Sequence, residues 1–184
     1  MDSLKLASKA SLGVLYFGIY SFCGWILEVG YRFIMQHHFV NPGLLQGPFL
    51  PIYGLFCLLV IAAERPLVNK SWGWHFAFFI AATTLLEYST GWYFLHQFNL
   101  RLWDYCDIPF NYHGFVALPF SLAWGILGLV FKGLIHPFIK GELSSIPLNL
   151  RLKLASLIGI YLLGDIFYSL ILLTSICSFS AEFL

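Results

Sequence analysis

Residues 72–98, which read WGWHFAFFIAATTLLEYSTGWYFLHQF, determine the class of fold. The run is apolar almost throughout, and Glu87 is the only fully charged side chain in it. Because a helix needs about 20 residues to cross a bilayer core of about 30 Å, this run is long enough to span a membrane. Further apolar runs occur at about residues 11–35, 48–63, 114–135 and 152–177. The sequence therefore predicts an all-α membrane protein with about five transmembrane helices.

The composition of the whole chain agrees with this class. Of its 184 residues, 59% are hydrophobic and 10% are charged, whereas soluble domains carry about 25% charged residues. A water-soluble fold could not cover so much apolar surface, so a soluble globular protein is excluded. At this length we expect the helices to form a single transmembrane domain over residues 1–184.

The charges next to the apolar runs predict the orientation, because Lys and Arg collect in the cytoplasmic loops of membrane proteins. If the N terminus is cytoplasmic, the outer side has only Arg32 and Arg101. The inner side then has the other basic residues, which are Lys5, Lys9, Arg65, Lys70, Lys132, Lys140, Arg151 and Lys153. We therefore predict a multi-pass protein of the cell (inner) membrane with its C terminus outside. The polar segments 36–47 and 99–113 then face outward.

The chain also matches itself, which predicts an internal repeat. Residues 26–28 (ILE) match residues 85–87 (LLE) at a shift of 59 positions, so Glu28 corresponds to Glu87. At a shift of 71 positions, Gly43, Pro48, Phe49, Tyr53 and Gly54 match Gly114, Pro119, Phe120, Trp124 and Gly125. The extra 12 residues are an insertion in the second outer segment. Helices 1 and 2 (about 11–63) and helices 3 and 4 (about 72–135) are thus predicted to be a parallel repeat of hairpins, with helix 5 (about 152–177) added.

Three acidic residues, Glu28, Glu87 and Asp165, lie within the apolar runs. A carboxylate at the centre of a membrane helix costs about 2.5 kcal/mol or more unless it faces the bundle interior or is paired. Arg32 follows Glu28 by four residues, so a local ion pair that orders the helix end is one interpretation of Glu28. The other is that Glu28 and Glu87 line one polar site at the repeat axis. Asp165 lies outside the repeat, and a structural hydrogen bond explains it equally well.

The two outer segments contain the second group of candidates. Their amide and carboxylate oxygens suit a hard cation or a polar head group, and the residues are Asn41, Gln46, Asp104, Asp107 and Asn111. Gly and Pro interrupt the chain beside them, and broken backbone near membrane depth is tolerated where it lines a cavity. An ordinary solvated loop is the alternative. No motif identifies a cofactor or a metal, and without GxxxxGK[ST] the chain cannot hydrolyse ATP by that route.

Several motifs resemble the CmpB-like family of type IV ABC transporter permeases, which are small multi-pass bacterial membrane proteins. The resemblance covers roughly residues 20–130. Its motifs are Gly24-Trp25 with Glu28, the segment 41–54 (NPGLLQGPFLPIYG), Leu86-Glu87-Tyr88, Trp103-Asp104-Tyr105, Phe110-Asn111 with Gly114, and Ser121 with Trp124-Gly125. The chain departs from the family pattern at two positions. The family usually reads Asn-Arg-Gly where this chain has Pro42, and it often has Arg where this chain has Phe115. The resemblance implies a permease-like protein and supplies no catalytic residues.

Together these observations predict a transport or ligand-binding membrane protein with an outward-facing polar site between two hairpins. The candidate site residues are Glu28, Glu87, Asp104, Asn111, Asn41, Gln46, Arg32, Tyr53, Trp103 and Tyr105. One alternative is an intramembrane enzyme that acts on a lipid or lipid-linked substrate at the outer leaflet, with Glu28, Glu87 or Asp104 as general acid or base. Another is an accessory membrane subunit. The expected partners are the lipid bilayer and either a larger membrane complex or further copies of the chain, without nucleic acid.

Overall fold

The structure, a computed structural model, describes residues 2–39, 41–64 and 66–181, with the backbone alone for Asp2, Ser3, Gln36 and residues 176–181. Its helices are α1 (Asp2–Gln36), α2 (Pro51–Ala63), α3 (Trp72–Phe98), α4 (Leu118–Val130), α5 (His136–Ser145) and α6 (Leu148–Ala181). A π-helical turn, Phe131–Ile135, joins α4 to α5, so the described part of the chain forms five continuous helices. Two short antiparallel strands, β1 (Asn111–Tyr112) and β2 (Val116–Ala117), precede α4. The predicted all-α class is confirmed.

The helix bounds agree with the apolar runs in some places and correct them in others. The third helix has the predicted bounds, and the chain before Pro51 is irregular as the Pro-rich segment predicts. The fourth helix starts at Leu118 instead of residue 114, because residues 111–117 form the small hairpin. It then continues to Ser145, where a connecting loop was predicted.

The π-helical turn has a physical explanation in Pro137. Proline lacks an N–H and its ring crowds the carbonyl one turn earlier, so an ordinary α-helical turn before it is strained. The wider turn ends two residues before this proline, and the backbone N–H of His136 donates to the carbonyl of Phe131, five residues back. The chain thereby continues as one helix past a residue that usually ends helices.

Three of the helices are long and apolar enough to span a membrane: Leu4–Met35, Leu118–Ser145 and Leu148–Ser175. The second helix, Pro51–Ala63, is apolar but shorter. The third has 27 residues and is long enough, but its polar side chains leave it outside this group of three.

The chain forms two compact units. The first comprises residues 1–58 and 139–184. In it α1 packs along α6, where Gly18 meets Ile158 and the guanidinium of Arg151 donates to the hydroxyl of Ser8 over 2.6 Å. The beginning of α2 also lies against α1, because Gly54 leaves room for the ring and carbonyl oxygen of Phe17.

The second unit comprises residues 59–138 and is built on the contact between α3 and α4. Glycines on α4 let the two helices approach. Gly125 lies against Phe76, and Gly128 against Phe79, which is completely buried. The hydroxyl of Thr84 donates to that of Ser121 over 2.9 Å, which adds a polar link across the same contact.

One residue used in the sequence predictions, the predicted inner basic residue Arg65, lies outside the described residues. Cys106 is a free, exposed thiol.

A pair of glycine substitutions tests the packing of the first unit. A Cβ at Gly54 would lie 2.8 Å from the backbone oxygen of Phe17, so Gly54→Ala should lower the free energy of unfolding by about 1–3 kcal/mol. A Cβ at Gly164, on α6, would meet nothing within 4 Å. Gly164→Ala should therefore raise it by about 0.5–1 kcal/mol, because alanine is the better helix former. Unfolding of both variants in bicelles measures this, and equal effects would contradict the packing.

Candidate functional site

Glu87 lies on α3 at the contact with α4, and only 4% of the residue is exposed. Its Oε1 atom accepts a hydrogen bond from the indole N–H of Trp124 over 3.0 Å and another from the hydroxyl of Tyr105 over 3.4 Å. Thr83 and Gly91 are buried on the same face, one turn before and after Glu87. An apolar helix thus presents a polar stripe to its neighbour, with the carboxyl group at its centre.

The second polar loop, residues 99–117, brings Tyr105 to this carboxyl group. The backbone N–H of Tyr105 donates to the carbonyl of Gly114 over 2.9 Å, and its ring stacks on Phe120 with centroids 4.5 Å apart. Gly114 has φ of +70°, which glycine adopts without strain and which returns the chain toward α4. The side-chain amide of Asn111 donates to the carbonyls of Cys106 and Ile108 and accepts from the N–H of Gly114. Asn111 therefore holds the loop.

Aromatic side chains attach the same loop to α3. The indole N–H of Trp103 donates to the carbonyl of Phe115 over 2.8 Å. Both side chains lie against Gly91, where a Cβ would come within 2.9 Å of the ring of Phe115. The guanidinium of Arg101 lies 5.5 Å from the centre of the Phe115 ring. The loop is a built structure over the end of α3.

Glu28 in the first unit has a related but more open environment. Its Oε1 atom lies 2.9 Å from Nε of Arg32, which confirms the predicted ion pair, and its Oε2 atom accepts from the hydroxyl of Tyr53 over 3.3 Å. The side chain of Glu28 is 23% exposed. Gly24, one turn earlier, allows the ring of Tyr53 to lie against α1.

The first polar loop, residues 37–50 without Val40, is held from both sides. Asn41 accepts from the indole N–H of Trp25 over 2.6 Å, and its amide donates to the carbonyls of Leu45 and Gln46. On α6, Asp165 accepts the backbone N–H groups of Gln46 and Gly47 over 3.1 and 3.0 Å. Asp165, which the repeat did not explain, therefore attaches this loop to α6.

The predicted oxygen ligands of the second loop are also engaged within it. Asp104 accepts from Arg101 over 2.8 Å and from the backbone N–H of Cys106 over 2.9 Å. These contacts, the side-chain contact with Cys106 foremost, hold the pKa of Asp104 below its usual value. The same contact raises the pKa of the Cys106 thiol, because a nearby carboxylate disfavours the thiolate. Asp107 is exposed. Among the described residues, no three His, Cys, Asp or Glu side chains are placed to hold a metal ion.

Two contacts around Glu28 have counterparts around Glu87. Each acid, on the first helix of its pair, accepts a hydrogen bond from an aromatic side chain near the start of the second, Tyr53 in one unit and Trp124 in the other. A glycine follows each of these aromatic residues and lies against a phenylalanine: Gly54 against Phe17, and Gly125 against Phe76. The shift of 59 positions relates Glu28 to Glu87 and Phe17 to Phe76 on the first helices of the two pairs. The shift of 71 positions relates Tyr53 to Trp124 and Gly54 to Gly125 on the second helices.

Sequence reasoning left three residues of these surroundings out of the candidate site, although a structural hydrogen bond was one of its interpretations of Asp165. Trp124 was paired with Tyr53 by the repeat, which was the signal that it contacts an acid. For Trp25, the sequence contained no indication of a contact with Asn41 beyond its place in a family motif. Asp165 contacts residues 118 and 119 positions away, and such non-local contacts leave no local pattern in a sequence.

The geometry defines a helical membrane protein with a carboxyl group held by an aromatic donor in each of two helix pairs. The family described as "Putative ABC-transporter type IV" (ABC_trans_CmpB) matches residues 15–170. Since this is most of the chain, the protein belongs to that family and is an ABC-transporter-related membrane protein. No solved structure matches the chain significantly.

The thiol of Cys106 gives a test of the loop geometry. Because the carboxylate of Asp104 raises the pKa of this thiol, the thiolate fraction near pH 7.5 is small in the native protein. Asp104→Asn removes the negative charge but keeps an acceptor for the N–H of Cys106. Labelling of Cys106 by a maleimide should then become several-fold faster at that pH, in a background where Cys23, Cys57 and Cys177 are serine. An unchanged rate would contradict the contact.

Proposed function

We propose that this protein transports or binds a polar solute through two equivalent helical hairpins, each of which contributes a carboxyl group, and that it acts as a permease-like member of its family. One observation carries this proposal. Glu28 and Tyr53 contact each other in the first hairpin, and the residues that the two sequence shifts pair with them, Glu87 and Trp124, contact each other in the second. The internal repeat is part of the proposal.

Chance is a poor explanation of this correspondence. The two shifts were derived from short matches within the sequence. The contacts join residues that are far apart in the chain, so the matches did not determine them. Both the acid to aromatic contact and the phenylalanine to glycine contact recur at the same shifts. A duplicated hairpin explains both recurrences at once, whereas unrelated hairpins would have to acquire each of them separately.

The cost of the acids favours a functional role. A carboxyl group buried among apolar helices is expensive, and such groups mark ion and substrate pathways in membrane proteins. Gly125, Gly128 and the link from Thr84 to Ser121 also support the contact between α3 and α4. The meeting of Glu28 and Glu87 at a common axis stays a prediction.

We also propose five membrane spans with the N terminus in the cytoplasm. The excess of Lys and Arg on one side supports this orientation. The helix α2 is about 20 Å long at 1.5 Å per residue, and the irregular chain before Pro51 extends it. Cys106 would then face outward, and a membrane-impermeant maleimide should label it in intact cells. Labelling that requires broken cells would contradict this orientation.

A ligand screen with a matched control tests the proposed function. Amino acids, organic cations and inorganic ions are added singly to the purified protein, and the thermal unfolding midpoint is measured. We expect at least one compound class to raise the midpoint of the native protein, and Glu87→Gln to abolish the rise because the buried carboxyl group contacts the ligand or its counter-ion. Glu142→Gln removes an exposed acid on α5 and should keep it. A full response of Glu87→Gln, or no response of the native protein to any compound, would contradict the proposal.

A further inference from the structure

We propose that the N-terminal ends of α1 and α6 bind the phosphate group of an anionic phospholipid. The site consists of Lys5, Ser8 and Lys9 on α1 and Arg151 on α6, and all four residues belong to the first compact unit. The inference goes beyond the proposed function. It needs the proposed orientation only to place the lipid in the cytoplasmic leaflet.

An open cavity of about 380 Å³ lies at the beginning of α1 and is lined by Leu4, Lys5, Ser8 and Lys9. Lys5 and Lys9 are four positions apart on the helix, so they lie on the same face, and both are exposed. Two ammonium groups at one cavity attract an anion. Leu4 and the methylene stems of the lysines give the same ligand an apolar contact. The cavity therefore suits an anion that also has an apolar part.

A buried positive charge lies behind this cavity. Arg151 is only 9% exposed, and its Nη2 atom donates to the hydroxyl of Ser8 over 2.6 Å. Its Nε atom has no hydrogen-bond partner. Among the described side chains, no carboxylate pairs with Arg151. Because a buried charge without a counter-charge is costly, an anion bound beside Ser8 would stabilise this guanidinium.

Ser8 connects the buried charge to the cavity. Its Oγ atom accepts the hydrogen bond from Arg151, so the hydrogen of its own hydroxyl points elsewhere. Since Ser8 lines the cavity, this hydroxyl can donate to a phosphate oxygen there. One ligand group would then contact Ser8 and both lysines, with the guanidinium directly behind the serine.

The ends of the two helices add to the positive potential. Ser8 contacts Arg151 near the beginnings of α1 and α6, and Gly18 meets Ile158 further along both, so the helices run in the same direction. Their N-terminal ends, which carry partial positive charge, therefore lie together. The first turn of α6 contains no acidic residue. The sequence has no acidic residue at positions 3–27 or 143–164.

The position of the cavity along the helices favours a lipid over a soluble phosphate. Both helices are long and apolar enough to span a membrane, and these spans begin at Leu4 and Leu148. The cavity thus lies at the ends of two candidate spans, which is the depth of the lipid head groups. Basic pockets between membrane helices are a known way to bind anionic head groups on the cytoplasmic side.

Native mass spectrometry of the full chain, released from detergent micelles, tests the proposal. Phosphatidylglycerol, which has a net negative charge, and phosphatidylcholine, which has none, are added at equal concentration. We expect the native protein to retain phosphatidylglycerol on a several-fold larger fraction of molecules. The double variant Lys5→Gln, Lys9→Gln should lose most of this preference. The control double variant Lys140→Gln, Lys153→Gln removes the same charge from exposed positions of the same unit and should keep it.

Two results would overturn the proposal. One is a native protein that retains both lipids equally, and the other is an equal loss of preference in the two double variants, which would show that net charge alone attracts the lipid. Neither result depends on the orientation or on transport, because the protein is in detergent. Labelling of Cys106 in intact cells decides the leaflet separately.

Thermal unfolding tests the buried charge and the nature of the ligand. Phosphatidylglycerol should raise the unfolding midpoint of the native protein, and Arg151→Gln should abolish the rise. If Arg151→Gln does not fold, the lysine variants decide. A full rise in a folded Arg151→Gln protein would contradict the role of the guanidinium. Inorganic phosphate at the same concentration should raise the midpoint less than the lipid, and an equal rise would overturn the assignment to a lipid.

The acidic residues that lie nearest in the sequence provide a further control. These are Asp2, before Lys5, and Glu142, before Arg151. The double variant Asp2→Asn, Glu142→Gln removes two negative charges, so the rise with phosphatidylglycerol should be kept or become larger. A loss of the rise in this variant would contradict a site that attracts an anion.

Discussion

The hydrogen bond between the indole of Trp124 and the carboxyl group of Glu87 is the interaction on which the second helix pair depends. Apolar surroundings contain no water to satisfy a carboxyl group, so the chain must supply the donors itself. Trp124 reaches Glu87 only if α3 and α4 lie close together, and Gly125 and Gly128 permit this by leaving room for Phe76 and Phe79. The positions of the two helices, their glycines and the loop above them follow from this requirement.

The first helix pair meets the same requirement with different residues. Tyr53 replaces the indole as the aromatic donor, and Arg32 supplies a full positive charge from the next turn of the same helix. The neighbouring loop is held by Asp165 on α6. The partners of the two acids therefore differ: Glu28 pairs with the guanidinium of Arg32, and Glu87 accepts hydrogen bonds from Trp124 and Tyr105.

Local patterns in the sequence predicted local features of the structure. The bounds of α3 and the ion pair between Glu28 and Arg32 are both set by residues within a few turns, and both are confirmed. The family resemblance is confirmed as well. The extension of the fourth helix to Ser145 was not predicted, because the charged and proline-containing segment after residue 135 reads as a loop unless a π-helical turn accommodates Pro137.

The contacts of the polar loops could not be predicted from the sequence, for a different reason. Asn41, Asp104 and Asn111 have the side chains of cation ligands, and composition alone does not distinguish such ligands from residues that stabilise a turn. In the structure their amide and carboxylate groups contact the backbone of their own loops or a nearby side chain. Asp165 contacts a loop more than a hundred residues earlier in the chain. Only the tertiary structure brings these groups together.

A double-mutant cycle on Glu87 and Trp124 tests the central claim most directly. The free energy of unfolding in bicelles is measured for the native protein, Glu87→Leu, Trp124→Phe and the double variant. If the indole holds the buried carboxyl group, the two substitutions are coupled by about 1 kcal/mol or more, because either one alone removes the same bond. Additive effects of the two substitutions would contradict the account.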